Sequence, residues 1–309
     1  MAARRNRFTD YDRLSARTVL YLGAVLIVPF CALALLLTFG ARVLSVSAAQ
    51  ALIYSTSRRD EEIYTFDTHR AIRHNLTRRA GWDGAPSRSP DHSQIAFTSL
   101  RDGNQEIYVM NADGSGTRRL TDHPARDVDP VWSPDGTRIA FVSDRSGDWN
   151  IHVMNADGSD QRQITDLGFN TGSPAWSPDS DEIVFVTWHR GNWVIFLMDA
   201  DGNHLREATD YVNARSIDPV FSPDGQQIAF ASDREDGNFE IYVMQADGSH
   251  VRRLTHDPAM DSSPAWSASG DRLWFVSWRE GFQAIYYLHM ETGIVQRITG
   301  DGERASSPS

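Results

Sequence analysis

The sequence predicts an all-β protein, a six-bladed β-propeller preceded by one N-terminal transmembrane helix. Three observations support this prediction. One unit recurs along the chain with a nearly constant period, each copy carries four short strand signals separated by turn residues, and a long uncharged apolar run lies near the N-terminus. A period near 40 to 45 residues with four strands in each copy is typical of propeller blades.

The N-terminal apolar run extends from Val19 to Gly40 and contains 22 residues without a charge. About 20 such residues span a bilayer as a helix. Five arginines precede the run and one follows it, so the positive-inside rule places the N-terminus in the cytoplasm and the rest of the chain outside. We therefore predict a basic cytoplasmic tail over 1–17, a signal anchor over 18–41 and a propeller over 42–309.

A cleavable signal peptide is the alternative interpretation of this run. Small residues that signal peptidase accepts occur at Val46–Ala49. The apolar core of a signal peptide is only about 7 to 15 residues long, however, and the run here is longer. The length favours an uncleaved anchor in the cell membrane. Cleavage would instead release a secreted propeller, and either route exports it to a periplasmic or extracellular location.

The charge of the chain is distributed unevenly. The net charge is −11, but residues 1–48 hold six arginines and two aspartates, a charge of +4, which leaves −15 for the remainder. An acidic body of this kind repels phosphate backbones, so we expect no nucleic-acid partner. The single cysteine, Cys31, excludes an intrachain disulfide.

The repeat resolves into four strands, as the copy around Ile139 illustrates. A first strand over Pro130–Ser133 leads through the turn SPDG into a second strand over Arg138–Ser143, followed by a third over Asn150–Met154 and a fourth over Gln161–Thr165. The second strands are apolar on both faces, as strands covered by neighbouring blades must be. The copies are spaced by 43, 44, 44, 45 and 45 residues and start at Leu52, Ile95, Ile139, Ile183, Ile228 and Leu273.

The repeated turns have a structural explanation. In SPDG at Ser133–Gly136, serine suits the first position of a type I turn, proline fixes φ at the second, and glycine fits the fourth. The N-A-D-G type turns between third and fourth strands need a positive φ, which glycine adopts at no steric cost. We interpret them as folding residues and not as ligands. Their glycines are Gly114, Gly158, Gly202 and Gly248.

The number of copies predicts how the ring closes. Five copies carry four strands each, and the copy over Leu52–Thr77 lacks a first strand. Either of two segments supplies it: Val43–Val46, which lies at the right offset upstream, or Ala305–Ser309, which repeats the start of a first strand. In both cases the ring closes at six blades.

The stretch IAFVSDRSGDWNIHVMNADGSDQRQITD and its copies resemble the TolB-type WD40-like (PD40) propeller repeats. The resemblance implies a periplasmic propeller that engages proteins of a cell-envelope assembly. The α/β domain that TolB carries ahead of its propeller is not expected, because only 51 residues precede the first repeat. Propellers of prolyl-oligopeptidase-like peptidases are related, but the G-x-S-x-G elbow of their hydrolase domain is missing here.

Charged residues repeat in the loops that share one face of the propeller. The loops between second and third strands carry a cation in each copy, and the blade-to-blade loops carry aspartates. We predict that these charges pair either with an acidic neighbour in the chain, such as Asp144 or Asp233, or with an aspartate of a blade-to-blade loop, and hold blades together, because binding residues usually break repeat symmetry. The residues are Arg58, Arg101, Arg145, Arg234 and Arg279, with Asp127, Asp129 and Asp218.

Residues that break the repeat on this face are the candidates for binding, since exposed aromatic residues mark interface hot spots. They predict a non-catalytic protein-binding or scaffolding module with protein partners in the cell envelope. A carbohydrate-binding protein or polysaccharide-active enzyme that uses the propeller funnel is the alternative. No catalytic residue, cofactor or metal site is predicted, since two interblade histidines, His123 and His256, are too few for one. The candidates are Trp82, Phe169, Trp188, His189, Tyr211, Met260 and Trp278.

Overall fold

The computed structural model describes residues 51–55, 62–67, 72–79, 81–209 and 214–298. These residues form an all-β, six-bladed β-propeller. The predicted tail, the predicted anchor and both candidate ring-closing segments lie outside the described residues, so the order of ring closure stays a prediction. No helix in the described ranges is long and apolar enough to span a membrane.

Each blade is an antiparallel meander whose strands pair in chain order. Blade 1 contributes three described strands and blades 2 to 6 contribute four each, as the repeat predicts. The strands of blades 1 to 3 are β1 Ala51–Ser55, β2 Ile63–Asp67, β3 Ile72–Asn75, β4 Asp83–Arg88, β5 Gln94–Ser99, β6 Glu106–Asn111, β7 Arg118–Arg119, β8 Asp127–Trp132, β9 Arg138–Ser143, β10 Asn150–Asn155 and β11 Arg162–Gln163. Those of blades 4 to 6 are β12 Thr171–Trp176, β13 Glu182–His189, β14 Asn192–Asp199, β15 Arg206–Glu207, β16 Ser216–Phe221, β17 Gln227–Ser232, β18 Glu240–Gln245, β19 Arg252–Arg253, β20 Asp261–Trp266, β21 Arg272–Ser277, β22 Ala284–His289 and β23 Val295–Arg297.

This meander gives the propeller two different faces. The first strands of blades 2 to 6, which we call inner strands, contact one another around a central channel. Because the strands alternate in direction, the loops after the second strands and the blade-to-blade connections share one face, the loop face. The turns after the first and third strands share the opposite face, the hairpin face.

The core lies between the blades. At the seam of blades 2 and 3, Val109 and Leu120 pack against Trp132, Phe141 and Met154 of the next blade. The same arrangement recurs between blades 3 and 4, where Trp176 and Phe185 supply the aromatic surface. Both faces of each second and third strand are therefore buried, which explains their continuous apolar sequences.

Every inner strand of blades 2 to 6 contains a bulge. The register with the second strand shifts in each, for example between Val128 and Val131. The third residue adopts a positive φ although it is never glycine. Such a backbone conformation is uncommon for these residue types and points to a constraint of the fold. The residues are Ala85, Asp129, Ser173, Asp218 and Ser263.

The hairpins between third and fourth strands touch the preceding blade. A Cβ on Gly202 would lie 2.2 Å from the carbonyl oxygen of Ile164 in that blade. The corresponding distances for Gly114, Gly158 and Gly248 are 2.6, 3.0 and 2.8 Å. The positive φ predicted for these glycines is confirmed. The structure adds a second reason for glycine, because no side chain fits beneath the turn.

The outermost strands are very short. In blades 2 to 5, strands β7, β11, β15 and β19 contain two residues each. Each pairs with its neighbour through two residues only, as β7 does with β6.

Candidate functional site

The arginines of the loop face are held inside their own blades. Each lies just after a second strand and reaches the first residue of the inner strand of the same blade. The acids it meets are buried, with no exposed surface at Asp127 or Asp261. The shortest N–O distances are 3.1 Å for Arg101–Asp83, 2.7 Å for Arg145–Asp127 and 2.9 Å for Arg279–Asp261.

Aromatic rings fix the same guanidinium groups from beneath. Arg145 lies over Phe141, with 5.4 Å between its Cζ and the ring centroid, and Arg279 lies 4.6 Å from the ring of Tyr286. Cation–π contacts of this kind add to the ion pair. Burial raises the pKa of Asp261 to about 6 against the opposing effect of Arg279 and the Ser277 hydroxyl. The geometry is that of an intrablade brace.

Blades 4 and 5 depart from this pattern. In blade 5, Arg234 donates to the hydroxyl of Ser216 at 3.3 Å, since serine replaces the aspartate. In blade 4, His189 takes the place of the arginine and contacts Phe196 edge-on at 5.5 Å between ring centroids. Arg58, the predicted cation of blade 1, lies outside the described residues.

The acids expected to pair with these arginines have other partners. Asp144 binds Arg126, which donates through its backbone N–H at 2.8 Å and its Nε at 2.8 Å. Asp233 binds Arg215 in the same way, at 2.6 and 2.7 Å. Of the two predicted partners, the adjacent acid is therefore wrong, and the aspartate of the blade-to-blade segment is the one found for Arg145 and Arg279. An acid next to an arginine in the chain points to the opposite side of the backbone, so the two side chains diverge.

These two ion pairs form part of the rim of the loop face. The guanidinium of Arg126 stacks over Trp149 at 4.6 Å, and that of Arg215 over Phe239 at 4.7 Å. Each pair joins the residue before an inner strand to the residue after the second strand. Blades 3 and 5 thus present rigid, charged positions on the rim.

Blades 2, 4 and 6 present apolar side chains at the equivalent positions. Leu100 and Trp278 follow β5 and β21, and Trp188 is the next-to-last residue of β13; the three side chains expose 40%, 40% and 37% of their surface. In the same order, their backbone N–H groups donate hydrogen bonds to the backbone carbonyl oxygens of Trp82, Met260 and Asn170, at 3.0, 3.1 and 2.9 Å respectively. We call Leu100, Trp188 and Trp278 the apolar rim positions. From blade 2 to blade 6, where the structure describes it, the rim therefore alternates between apolar blades and charged blades.

Six of the seven binding candidates lie on the loop face. Phe169 is 47% exposed in the connection between blades 3 and 4, while Trp82, His189 and Met260 are partly buried there. Trp193 packs edge-on against Trp188 with 5.4 Å between the rings. Tyr211 lies outside the described residues. Leu100 was missed by the sequence reasoning, although its alignment with Trp188 and Trp278 could have identified it.

Asp129 and Asp218 belong to the channel and not to the ring of loop cations. Both stand at the bulges of inner strands and line a cavity of about 130 Å³. Asp218 accepts hydrogen bonds from Ser173 at 3.3 Å and Ser263 at 3.1 Å, one in each neighbouring blade. The prediction that Asp129 and Asp218 lie among the loop-face charges is therefore wrong. Both are the positive-φ residues of their bulges, and this backbone conformation places them on the channel wall.

No group of three or more histidine, cysteine, aspartate or glutamate side chains in the described part of the chain is arranged to hold a metal ion. One interblade histidine, His123, instead accepts a hydrogen bond from the backbone of Ala125 at 3.0 Å.

The chain is similar in sequence and in structure to known propeller proteins. The sequence matches the family described as the TolB beta propeller domain over residues 45–210 and 170–309. The structure resembles a putative TolB from Agrobacterium tumefaciens, with 24% identity and a TM-score of 0.67, covering 76% of this chain and 86% of the other. It also resembles TolB from Acinetobacter baumannii, with 19% identity and a TM-score of 0.71, covering 84% of this chain and 63% of that one.

A third similar structure is an oligogalacturonate lyase in complex with manganese, with 16% identity and a TM-score of 0.61. The match covers 84% of this chain and 76% of the lyase. At such identities the likeness to solved structures establishes the fold, and the fold serves both a TolB and an enzyme.

Proposed function

The chain belongs to the TolB beta propeller domain family, and from this we propose that it is a non-catalytic protein-binding or scaffolding module of the cell envelope. Its partners would be proteins that meet the loop face. The acidic charge of −11 favours partners with a basic surface.

The alternating rim of the loop face is the observation that carries this proposal. Three large apolar side chains stand exposed at Leu100, Trp188 and Trp278 on the one face built from loops. Exposed tryptophans are enriched among residues that dominate binding energy at protein interfaces. The ion pairs of Arg126 and Arg215 fix the blades between them, so this surface is rigid before a partner arrives.

The braced arginines are not expected to take part in recognition. Arg145 and Arg279 are already paired with buried carboxylates, and a partner acid would have to displace these pairs. The apolar rim positions and Phe169 remain as the accessible groups. We therefore expect binding through apolar contacts surrounded by acidic side chains.

Affinity capture from envelope extracts tests this proposal when the full-length chain is compared with its Trp278→Ala and Trp188→Ala variants. We expect partners that the wild-type chain captures to be lost with either variant, and purified partners to bind at least about tenfold more weakly. Leu205→Ala is the matched control, because Leu205 is 43% exposed but lies near the hairpin face. Capture that is equal for all four proteins would contradict the proposal.

The channel favours one second candidate, a carbohydrate-binding or polysaccharide-active protein. Asp129 and Asp218 face a cavity bounded by hydroxyl groups, and a lyase shares the fold. Carboxylate pairs are common in enzymes that cleave sugars. Binding of acidic and neutral oligosaccharides by the full-length chain, and the appearance of new sugar ends, would test it. Binding that survives Asp218→Asn and Asp129→Asn would exclude a role for the channel.

We also propose that residues 18–41 hold the propeller at the membrane on the extracytoplasmic side. The support is the uncharged run and the arginines before it. Cell fractionation should place the full-length chain with membranes, and external protease should digest the propeller of spheroplasts. A chain recovered only in the soluble fraction with its N-terminus intact would contradict anchoring.

A further inference from the structure

The hairpin face contains a repeated contact between blades. The N-A-D-G type hairpin of one blade rests on the outermost strand of the preceding blade, where its glycine meets a backbone carbonyl. An arginine from that strand holds the hairpin. Arg118 donates to the carbonyl oxygen of Asp157 at 3.2 Å, Arg162 donates to the Asp201 carboxylate at 2.6 Å, and Arg206 donates to the carbonyl oxygen of Ala246 at 3.2 Å. We call this contact the hairpin clasp.

The clasp is missing between blades 5 and 6. Arg252 occupies the position of Arg118, Arg162 and Arg206, but its side chain is exposed and makes no hydrogen bond or ion pair with any described residue. The hairpin of blade 6 places Thr292 where the other copies have glycine, and its own Gly293 has no atom within 4 Å of a Cβ position.

The glycine distances explain why blade 6 cannot dock. A Cβ at this position in the other blades would lie between 2.2 and 3.0 Å from the carbonyl oxygen of the preceding blade. Heavy atoms do not approach so closely, so a threonine cannot take the glycine's place in such a turn. The turn of blade 6 is built differently, because the N–H of Gly293 donates to the carbonyl oxygen of His289, one residue further apart than Gly248 and Gln245.

A groove remains on blade 5 at this place. It has a volume of about 910 Å³, and Gln227, Val243, Gln245, His250 and Arg252 are among its lining residues. The blade 5 residue that the hairpin would cover, Leu254, is only partly buried. Of the residues beneath the docked hairpins, Leu120 and Ile164 are 8% and 9% exposed, while Leu76 and Ala208 are partly buried like Leu254.

We propose that this groove binds a carboxylate-bearing β-turn of a partner protein, of the Ala-Asp-Gly type. The chain itself displays the occupant, because equivalent surfaces on blades 3 and 4 receive such turns from blades 4 and 5. The free guanidinium of Arg252 supplies the charge that Arg162 directs at Asp201. Asp247 also lines the groove and contributes one negative charge to it.

The site is separate from the loop face of the proposed function. It lies on the hairpin face, so one propeller can hold two proteins at once. The two proposals are tested separately, because Trp188→Ala and Trp278→Ala change the loop face, whereas Arg252→Gln changes the groove.

The test uses the full-length chain and a cyclic peptide with the sequence of residues 197–206, LMDADGNHLR, which contains the Asp201 carboxylate that Arg162 binds. Fluorescence anisotropy should show saturable binding that weakens at least about tenfold in Arg252→Gln and with a peptide carrying asparagine in place of the aspartate that corresponds to Asp201. Arg190→Gln is the control, because Arg190 is exposed on the opposite face and its loss changes the net charge equally. No binding by the wild-type chain, or equal binding by Arg252→Gln, overturns the proposal.

A second variant keeps Arg252 and fills the groove from within. The combined changes Met290→Ala, Glu291→Asp, Thr292→Gly and Gly293→Ser give blade 6 the hairpin of blade 5. We expect this variant to lose peptide binding and to melt at a higher temperature than the wild type. Peptide binding that persists in a folded variant of this kind overturns the proposal. So does a concentration-dependent dimer of the wild type that Arg252→Gln dissociates, because the occupant would then be a second copy.

Discussion

Arg145 and Asp127 form an ion pair in which Nη2 lies 2.7 Å from Oδ2 and the carboxylate is fully buried. The pair ties the loop after β9 to the first residue of β8, so it closes blade 3 at the loop face. Removing one partner of such a pair leaves a buried charge without compensation. We expect Arg145→Met to lower the free energy of unfolding by about 3 kcal/mol, measured by urea denaturation.

Blade 5 provides the control for this brace. Arg234 lies over Phe230 much as Arg145 lies over Phe141, but its partner in the inner strand is the hydroxyl of Ser216. Arg234→Met therefore leaves no inner-strand carboxylate without its partner, and we expect a loss of about 1 kcal/mol. Equal losses in the two variants would show that aromatic stacking, and not the ion pair, accounts for the stabilisation.

The close approach at Gly202 predicts a steep penalty for the smallest side chain. A Cβ there would meet the carbonyl oxygen of Ile164 at 2.2 Å, and the residue has a φ of +91°. We expect Gly202→Ala to lower the free energy of unfolding by about 3 kcal/mol, of which about 1 kcal/mol is backbone strain. Gly293→Ala isolates that strain, because Gly293 has a φ of +70° and nothing within 4 Å. Thermal melts that agree for the two variants would rule out the steric contribution.

Burial of His152 predicts a loss of stability in acid. Burial lowers its pKa to about 4, with Arg145 and His123 lowering it further and Asp127 and the Asn150 carbonyl opposing them. The unfolded histidine takes up a proton below its ordinary pKa of about 6.5, whereas the folded one does not until about 4. Its contribution to stability is therefore complete above pH 6.5 and is lost as the pH falls towards 4.

Replacement of His152 by phenylalanine measures this contribution. Phe196 occupies the equivalent position of blade 4, so the larger apolar ring fits the fold. We expect the Tm of the wild type to fall more than that of His152→Phe between pH 7.5 and pH 4.5, because the carboxylates titrate alike in both proteins. Parallel pH profiles would mean that His152 takes up its proton equally in the folded and unfolded chains, which would contradict the effect of burial.

A threonine at the end of the outermost segment supports the third strand of several blades. In blade 5 the Thr255 hydroxyl accepts the backbone N–H of Ile241 at 2.9 Å and donates to the buried carboxylate of Glu240. Thr255→Val leaves both groups without this partner, and we expect a loss of about 2 kcal/mol in the free energy of unfolding. The exposed Thr117→Val is the control and should change stability by less than about 0.5 kcal/mol.

The period, the turns and the apolar strands could be read from the sequence because each depends on local residue chemistry. Gly158 signals a positive φ, and Phe141 signals a strand buried on both faces. The sequence left two partners open for Arg145, the adjacent acid or an aspartate of the blade-to-blade loop, and local residue chemistry does not decide between them. Its partner in the structure lies 18 residues upstream across two strands, while the adjacent Asp144 points elsewhere.

Only part of the candidate site could be predicted from the sequence, again because the rest depends on contacts between residues far apart in the chain. A tryptophan such as Trp278 is a candidate for binding by its residue type alone. The exposure of Leu100, in contrast, depends on the position that it occupies in its blade. The channel position of Asp218 follows from a left-handed backbone at a bulge that alanine, serine and aspartate all adopt in different blades. No residue type indicates that backbone conformation. A prediction from the repeat period alone therefore placed Asp218 on the wrong surface.

The two-residue outermost strands limit how copies of this protein can associate. Adjacent blades have nearly the same sequence, and long free edges would let molecules join side by side into fibres. Because β7, β11, β15 and β19 each offer only two paired residues, an incoming chain finds too short a ladder to extend. A propeller built in this way can be concentrated in a crowded compartment and remain dispersed.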